Sequence, residues 1–448
     1  MSAEIRVPLH LIETLKAATA FRGGHETVAF CLASHVRLSN MTLLLIKKVI
    51  PLPGDVYVSS STHGAKWTGR AMVPILNEAL AGGLGIVLFH AHPHTGRVSL
   101  SEDDSRSARK LLPVFQNVIP ARPHASVVLG KTHAAGTVLL PGRTDYVNVE
   151  KVRLLSPTIT DLGNHEGSSV LHKEGDIYHR QALLTGSAGE RNLRRAKIAV
   201  IGLSGGGSHV VQQLAHMGVG EIIGIDDDRV DETNRSRLIG MTRLDVIFRR
   251  RKTKVMKRLV RKINRRVKFT PIPHPVPYQK AIDALKESDI IIGCVDSYHA
   301  RADLQELAWR YMIPYIDIGL RIRPLDLGNG VTIGGQVMTA IPGSFCQWCI
   351  DFLTDGKLLS ETGGRPRSYF EGTDKHAQVV SMNGILASQA VNEILQLLTG
   401  FAPVDGDMSF KKFNGLEGTL EKWGVKKKSR CEKCEASLGG GDLIWHSA

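Results

Sequence analysis

Long apolar runs are missing from this 448-residue chain. None approaches the ~18 residues of a membrane helix, so no membrane partner is expected. The opening MSAEIRVPLHLIETLK carries an acidic residue and amphipathic spacing rather than the charged-then-apolar order of a secretory signal, and a cytoplasmic location is expected. Cysteine is scarce, and six residues in a chain this long exclude a disulfide scaffold. Internal repeats and extended low-complexity tracts are lacking too. With 42% hydrophobic and 22% charged residues, a wholly disordered chain is excluded. The length exceeds the roughly 250–300 residues at which single cores stop growing, so two or more domains are expected.

Charge is unevenly spread. The balance of 57 Lys+Arg against 43 Asp+Glu leaves +14, and much of the excess lies between Arg243 and Lys268. Val255, Leu259, Val260 and Ile263 recur there at helical spacing, which predicts a helix with a solvated basic face; attraction of an acidic partner or a nucleotide is the alternative. No aromatic interleaving or nucleic-acid motif accompanies the run, so nucleic acid is not an expected partner.

What is present divides in two. Residues 1–150 end with strand-like ASVVLG and GTVLLPGR, residues 151–175 read as a polar connector, and residues 176–448 form a second domain. There AKIAVIG is a short buried strand followed by glycines and a helical run, the opening of a βαβ unit. EIIGIDDD, KFTPIPHPV, DIIIGCVDS and MIPYIDIGL read as further strands. The expected fold class is α/β, with a mostly parallel, doubly wound sheet in the second domain.

In the first domain the strand Gly85 to Phe89 runs into His90-x-His92. Residues two apart on a strand share a face, so both imidazoles can reach one ion. Ser101-Glu102-Asp103-Asp104 then opens a helical pattern. Two His and one carboxylate are a standard set for catalytic zinc, whose bound water has its pKa lowered toward ~7. The pattern resembles the JAB/MPN (JAMM) metalloprotease motif, Glu…His-x-His-Pro…Ser-x-x-Asp. The resemblance implies an α/β metalloprotease domain over residues 1–150. It also implies Glu26 as general base, Ser101 beside the oxyanion, and His90, His92 and an aspartate as zinc ligands. The Ser-x-x-Asp frame selects Asp104 and the family's commoner interval Asp103; Asp104 is the expected ligand, because a loop can lengthen while a helix start keeps its register. Ser101-x-x-Asp104 is equally a helix capping box, which needs no metal. An inactive descendant that kept the fold is the alternative.

In the second domain Gly202, Gly205 and Gly207 stand between a strand and a helix, where backbone N–H groups can approach phosphate. Asp226 ends the next strand, where an acidic residue can bind ribose. Alone, these features describe a dinucleotide-binding fold; Ser204 breaks the strict fingerprint, and no Walker lysine follows. The stretch IDDDRVDETNRSR resembles that of ubiquitin-activating enzymes and their bacterial relatives MoeB and ThiF, over about residues 175–435. The resemblance implies ATP and Mg²⁺, with Asp226 and Asp228 of the Asp-x-Asp-x-Val stretch at the nucleotide. Asn234, Arg237 and Lys252 (or Lys254) would hold the phosphates and Asp296 would lie near magnesium. Arg180 of Tyr178-His179-Arg180-Gln181 would reach the phosphates of the other protomer of a homodimer, and Arg301 keeps its family spacing. A nicotinamide oxidoreductase is the competing class.

Cys346-x-x-Cys349 and Cys431-x-x-Cys434 together supply four thiolates, the set of a structural zinc, with a redox role as the alternative. The adenylating family uses such pairs. No cysteine lies between Cys349 and Cys431, Cys31 falls in the other domain, and Cys294 reads as a small buried residue inside a strand. No thioester nucleophile is therefore evident. Together the resemblances imply a bifunctional enzyme acting on the C-terminal tail of a ubiquitin-like or sulfur-carrier protein. One half would trim or deconjugate the tail and the other adenylate it, with a conjugating enzyme or a sulfur donor downstream in a sulfur-transfer or bacterial defence pathway. The alternatives are a docking-only JAMM half or a purely deconjugating one. The final SLGGGDLIWHSA reads as a flexible terminus, although its glycines followed by removable residues resemble a precursor end.

Overall fold

The computed structural model describes residues 1–20, 26–61, 64–92, 97–163, 176–324, 330–362, 377–402, 409–425 and 427–442. The chain forms two units. One comprises Met1–Ser168, Arg310–Met312 and Ala436–Ala448, the other Ser169–Trp309 and Ile313–Glu435. Among the described residues no helix is long and apolar enough to cross a membrane.

The first unit contains β1 (Ser2–Val7), α1 (Leu9–Ala18), β2 (Val28–Arg37), β3 (Met41–Pro51), β4 (Tyr57–Ser61), β5 (Gly64–Trp67), α2 (Met72–Gly82), β6 (Gly85–Ala91), α3 (Glu102–Val118), β7 (His124–Leu129), β8 (Ala134–Leu139), β9 (Tyr146–Leu154) and β10 (Thr160–Gly163). Its main sheet runs β1-β3-β2-β6-β7-β8-β9-β10, and β1 also pairs with β9, closing a barrel-like ring. The central strands are apolar on both faces because each face meets a core. Cys31, Ala33, Val87 and Phe89 join α1 residues Ile12 and Leu15 in one cluster. The alternating Phe30, Leu32, Ile86 and Leu88 meet Ile75 of α2 and Leu112 and Phe115 of α3 in the other.

The stretch expected as a connector is partly sheet: β9 extends to Leu154 and β10 pairs antiparallel with it. Its polar composition misled because the polar residues are cross-strand partners, with Arg153 bonded to Asp161 at 2.7 Å. Residues 164–175 lie outside the described residues. The tail differs as well. Gly441 donates to the Arg310 carbonyl and the Asp442 amide to His35 O at 2.7 Å, so Gly439–Asp442 is pinned rather than free. A Cβ on Gly441 would lie 2.4 Å from that same His35 oxygen, which is why glycine stands there. Residues 443–448 lie outside the description.

The second unit contains α4 (His179–Arg195), β11 (Lys197–Ile201), α5 (Gly205–Met217), β12 (Glu221–Ile225), α6 (Arg243–Ile247), α7 (Lys252–Ile263), β13 (Lys268–Ile272), α8 (Gln279–Lys286), β14 (Ile290–Gly293), α9 (Tyr298–Arg310), β15 (Tyr315–Pro324), β16 (Val331–Ala340), α10 (Asp355–Thr362), α11 (Val380–Thr399), β17 (Phe410–Asn414), β18 (Thr419–Trp423) and α12 (Glu432–Ser437). The order β13-β12-β11-β14-β15 is parallel throughout, and β16, β17 and β18 continue it antiparallel. The order reverses between β11 and β14, the crevice where such Rossmann-like sheets bind ligands at their strand ends. The basic run is two helices. α7 buries Val255, Met256 and Val260 and exposes Lys254 and Lys257, and Arg249 turns the chain with φ +43 between α6 and α7.

Candidate functional site

In the first unit, β2 and β6 run antiparallel with Val28 opposite His90. Continued two residues, that register sets Glu26 against His92, and Glu26 Oε1 lies 3.7 Å from His92 Nε2. α3 delivers the third group. Ser101 caps the helix, its Oγ accepting from the Asp104 amide at 3.0 Å, while Asp104 Oδ2 accepts from the Ser101 amide at 2.9 Å and Oγ at 2.7 Å. Asp104 Oδ1 then faces His90 Nε2 at 3.0 Å, and His92 Nε2 stands 3.7 Å from Oδ2. The capping box and the convergent cluster are thus one structure, not rivals. Asp103 points away and pairs with Arg106 at 2.8 Å, so of the two aspartates only Asp104 reaches the imidazoles.

Whether these groups suit a cation can be tested on their donors. Ligand atoms of His90, His92 and Asp104 all lie within 4.8 Å of one another. His90 Nε2 is buried and makes no well-directed hydrogen bond despite the nearby carboxylate. Two imidazoles and a carboxylate that converge this closely, with a buried ring nitrogen in no well-directed hydrogen bond, fit a shared ion. Burial would raise the Asp104 pKa, but contacts from His90 and Ser101 hold it well below the usual carboxylate range. Glu26 is 5% exposed at the edge of this cluster. Tyr57 carried no sequence signal, yet its hydroxyl accepts the Val28 amide at 3.0 Å and fixes the strand end beside Glu26.

In the second unit, Gly202 has φ +84, and a Cβ there would lie 2.5 Å from Cys294 O; one at Gly207 would lie 1.8 Å from Gly202 O. Only glycine lets β11 turn this tightly into α5. Gly205 packs against Asn383. Asp226 organises the loop: Oδ2 accepts from the Leu203 amide at 2.7 Å and Oδ1 from the Asp228 amide at 2.9 Å. Lys252, the first residue of α7, reaches Asp228 at 2.5 Å and Asp226 at 3.7 Å, whereas Lys254 is exposed. Burial alone would lower the Lys252 pKa, but Asp226, Asp228 and Asp296 raise it above the ordinary value. Burial raises that of Asp226.

Asp296 is exposed just beyond β14. Asn234 is buried in a capping box with Asp231, and Arg237 donates to Thr233 O at 2.8 Å. Arg180 is exposed on α4, and no hydrogen bond among the described residues joins it to the lysine cluster. Arg301 is buried against Asp317 at 3.0 Å and Val295 O at 2.7 Å. Sequence reasoning also missed Glu361, whose carboxylate accepts the Tyr298 and His299 amides at the start of α9.

The four clustered cysteines are buried, with Sγ separations of 3.7, 3.8 and 3.6 Å for Cys346–Cys349, Cys346–Cys431 and Cys349–Cys434. A tetrahedron with ~2.3 Å Zn–S bonds has edges of about 3.8 Å, so the thiols fit zinc. Cys294 lies one residue past β14 rather than inside it, and burial pushes its thiol and that of Cys31 well up.

Residues 178–436 match the ThiF family. The sulfur carrier protein ThiS adenylyltransferase of Escherichia coli (strain K12) is 25% identical over 262 residues, covering 58% of this chain and 95% of that protein. A sulfur carrier protein adenylyltransferase of Thermus thermophilus is 25% identical, with 62% and 96% covered. The SAMP-activating enzyme E1 of Haloferax volcanii is 24% identical, with 60% and 91% covered.

Proposed function

The chain belongs to the ThiF family, and we propose that it adenylates the C-terminal carboxylate of a ubiquitin-like or sulfur-carrier protein and hydrolyses bonds at such a tail in its first unit. The observation that carries the activation half is Lys252, buried between Asp226 and Asp228 beside the glycine turn at the sheet's switch point. In this reading residues 176–448 are the adenylation domain, and residues 1–150 a JAB/MPN-type domain.

Lys252, Asn234 and Arg237 hold the ATP phosphates, and the two cations neutralise charge as the carboxylate oxygen attacks the α-phosphorus and pyrophosphate departs. The Asp226 carboxylate, fixed by two backbone amides, accepts from the ribose hydroxyls, with Asp228 beside it. Asp296 and the glycine turn complete the nucleotide site. Magnesium, when bound near Asp296, screens the phosphate charge. Arg180 serves the site of a second copy, a reading supported by the exposed Ile177, Leu183 and Leu184 around it and by Leu244, Ile247 and Phe248 at α6. The relatives named for sulfur-carrier adenylation support the substrate class.

In the first unit His90, His92 and Asp104 would hold zinc, which supplies Lewis acidity and an acidified water. Glu26 accepts the proton and returns it to the leaving amine, Ser101 holds Asp104 and lies beside the developing oxyanion, and Tyr57 fixes the strand end. The four-cysteine cluster would hold a structural zinc.

Intact-mass spectrometry tests both halves. The full chain is incubated with a small ubiquitin-like protein bearing a C-terminal extension, zinc and Mg-ATP, in parallel with Glu26→Gln and Asp296→Ala. Tail loss that depends on Glu26, and pyrophosphate exchange that depends on Asp296, are expected. Binding without either reaction refutes the reading in favour of a docking module, and activation without trimming restricts the first unit to deconjugation.

A further inference from the structure

Helix α3 has two faces. Ala108, Leu112 and Phe115 enter the core, while Arg106, Arg109 and Lys110 are exposed. The three cations line a shallow, open groove along one face of α3 with Leu100, Ser101, Glu102 and Ser105. Its head is Ser101, whose Oγ donates to Asp104, so the groove begins at the side chain that anchors the candidate metal cluster. From Ser101 to Lys110 the helix rises about 13 Å, at ~1.5 Å per residue. An extended polypeptide spans that length with roughly four residues. Arg106 is paired with Asp103 at the surface, and among the described residues Arg109 and Lys110 enter no ion pair.

The geometry points to this groove as a docking site for an acidic segment of polypeptide flanking the bond that the first unit hydrolyses. The register of the segment rests on the hydrolytic reading; the docking does not require turnover. A nucleic-acid strand is a poorer occupant: among the described residues the groove offers no aromatic ring for base stacking, and Glu102 at its mouth opposes an unbroken row of phosphates. An acidic peptide can place carboxylates at Arg106, Arg109 and Lys110 and a neutral residue at Glu102. Each exposed pair is weak alone, so selectivity requires several at once and must fall with salt, since the Debye length is about 8 Å at ~0.15 M.

The test uses the full chain carrying Glu26→Gln, so that the probe is not consumed, with zinc and with chelator. Two fluorescein-labelled peptides are titrated by anisotropy at about 50 and about 300 mM NaCl: one contains Gly-Gly followed by Glu-Asp-Glu-Glu, its twin Gly-Gly followed by Gln-Asn-Gln-Gln. The acidic probe is expected to bind about tenfold more tightly at low salt. Arg109→Glu with Lys110→Glu should abolish that preference, and Arg109→Gln with Lys110→Gln should reduce it. Lys16→Glu with Arg143→Glu, the same charge change at other exposed sites, should keep it. Equal binding of the twins, a preference that survives groove reversal, or an oligonucleotide that outcompetes the acidic probe overturns the inference. Zinc content and peptide cleavage by the Glu26 protein separate the two readings. A groove-dependent preference without zinc in the first unit refutes hydrolysis and leaves docking standing; zinc-dependent cleavage indifferent to the acidic residues refutes docking alone.

Discussion

Replacing Cys434 with serine removes one corner of a sulfur tetrahedron whose edges, 3.6 to 3.8 Å, suit zinc. The ion would tie Cys346 and Cys349 to Cys431 and Cys434, which are 85 residues away in sequence. Closing a loop of that size in the unfolded chain is worth about 4.5 kcal/mol in the chain-entropy treatment used for cross-links. Two-cysteine half-sites still bind zinc weakly in the unfolded state, so the measured loss should be about 3–4 kcal/mol. At ~2–4 °C per kcal/mol for a unit of this size, the second unit's melting transition should fall by roughly 10 °C. Calorimetry of Cys434→Ser beside the parent protein, with zinc counted by a chromophoric chelator, gives both numbers. The parent should release one equivalent from this cluster that Cys434→Ser lacks, and chelation should lower the parent's transition toward the variant's. A parent without that equivalent, or a variant melting within about 2 °C of it, refutes the zinc clip.

Four further outcomes follow from the geometry. Asp104→Asn should lose zinc from the first unit and any hydrolysis, whereas Asp103→Asn, which only breaks an exposed pair with Arg106, should change stability by less than ~1 kcal/mol. Lys252→Met should slow pyrophosphate exchange by about 10²–10³-fold and Lys254→Met by less than about twofold, read in the same exchange assay. Asp161 is held down to about 2 by Arg153 and Lys151 against the opposing effect of burial. Because its folded pKa lies below the unfolded one, its stabilisation, no more than ~1 kcal/mol at this exposed site where solvent screens the pairs, is present above pH ~4 and is lost as pH falls toward ~2. Asp161→Asn should flatten that part of the first unit's acid-denaturation profile. No cysteine should form a thioester: with ATP and an activated partner, non-reducing mass spectrometry should show no thiol-sensitive adduct, and an adduct at Cys294 would contradict the raised pKa of this half-buried thiol.

The readable parts of the site were those set by local spacing. His90-x-His92 at the end of β6 and the Ser101-to-Asp104 interval at a helix start follow from strand and helix periodicity, the glycines from the tight turn between β11 and α5, and the two Cys-x-x-Cys pairs from thiolate spacing. Choices between neighbours rested on register and family spacing, which favoured Asp104 and Lys252. Asp103 and Asp104 differ by about 100° around α3, and the fold shows which side β6 occupies; Lys252 and Lys254 pose the same problem on α7. Tyr57 and Glu361 were invisible because each meets its partners through a long-range contact. β10 was hidden by its polar composition, since Lys151, Arg153 and Asp161 satisfy one another across strands. The pinned Gly439–Asp442 segment read as a free end because its backbone partners, His35 and Arg310, lie more than a hundred residues away.

On the proposed reading, the two centres handle the same carboxylate. Lys252 is paired with Asp228 at 2.5 Å and Asp226 at 3.7 Å, and those carboxylates keep it charged. A phosphate competes with Asp228 for the ammonium, while Asp226 remains anchored by the Leu203 and Asp228 amides. In the first unit Glu26, His90, His92 and Asp104 converge. Hydrolysis liberates a carboxylate, and adenylation consumes one. With all six cysteines buried or partly buried, and four of them committed to one cluster, the activated product must leave as the acyl-adenylate or react with a nucleophile from outside this chain.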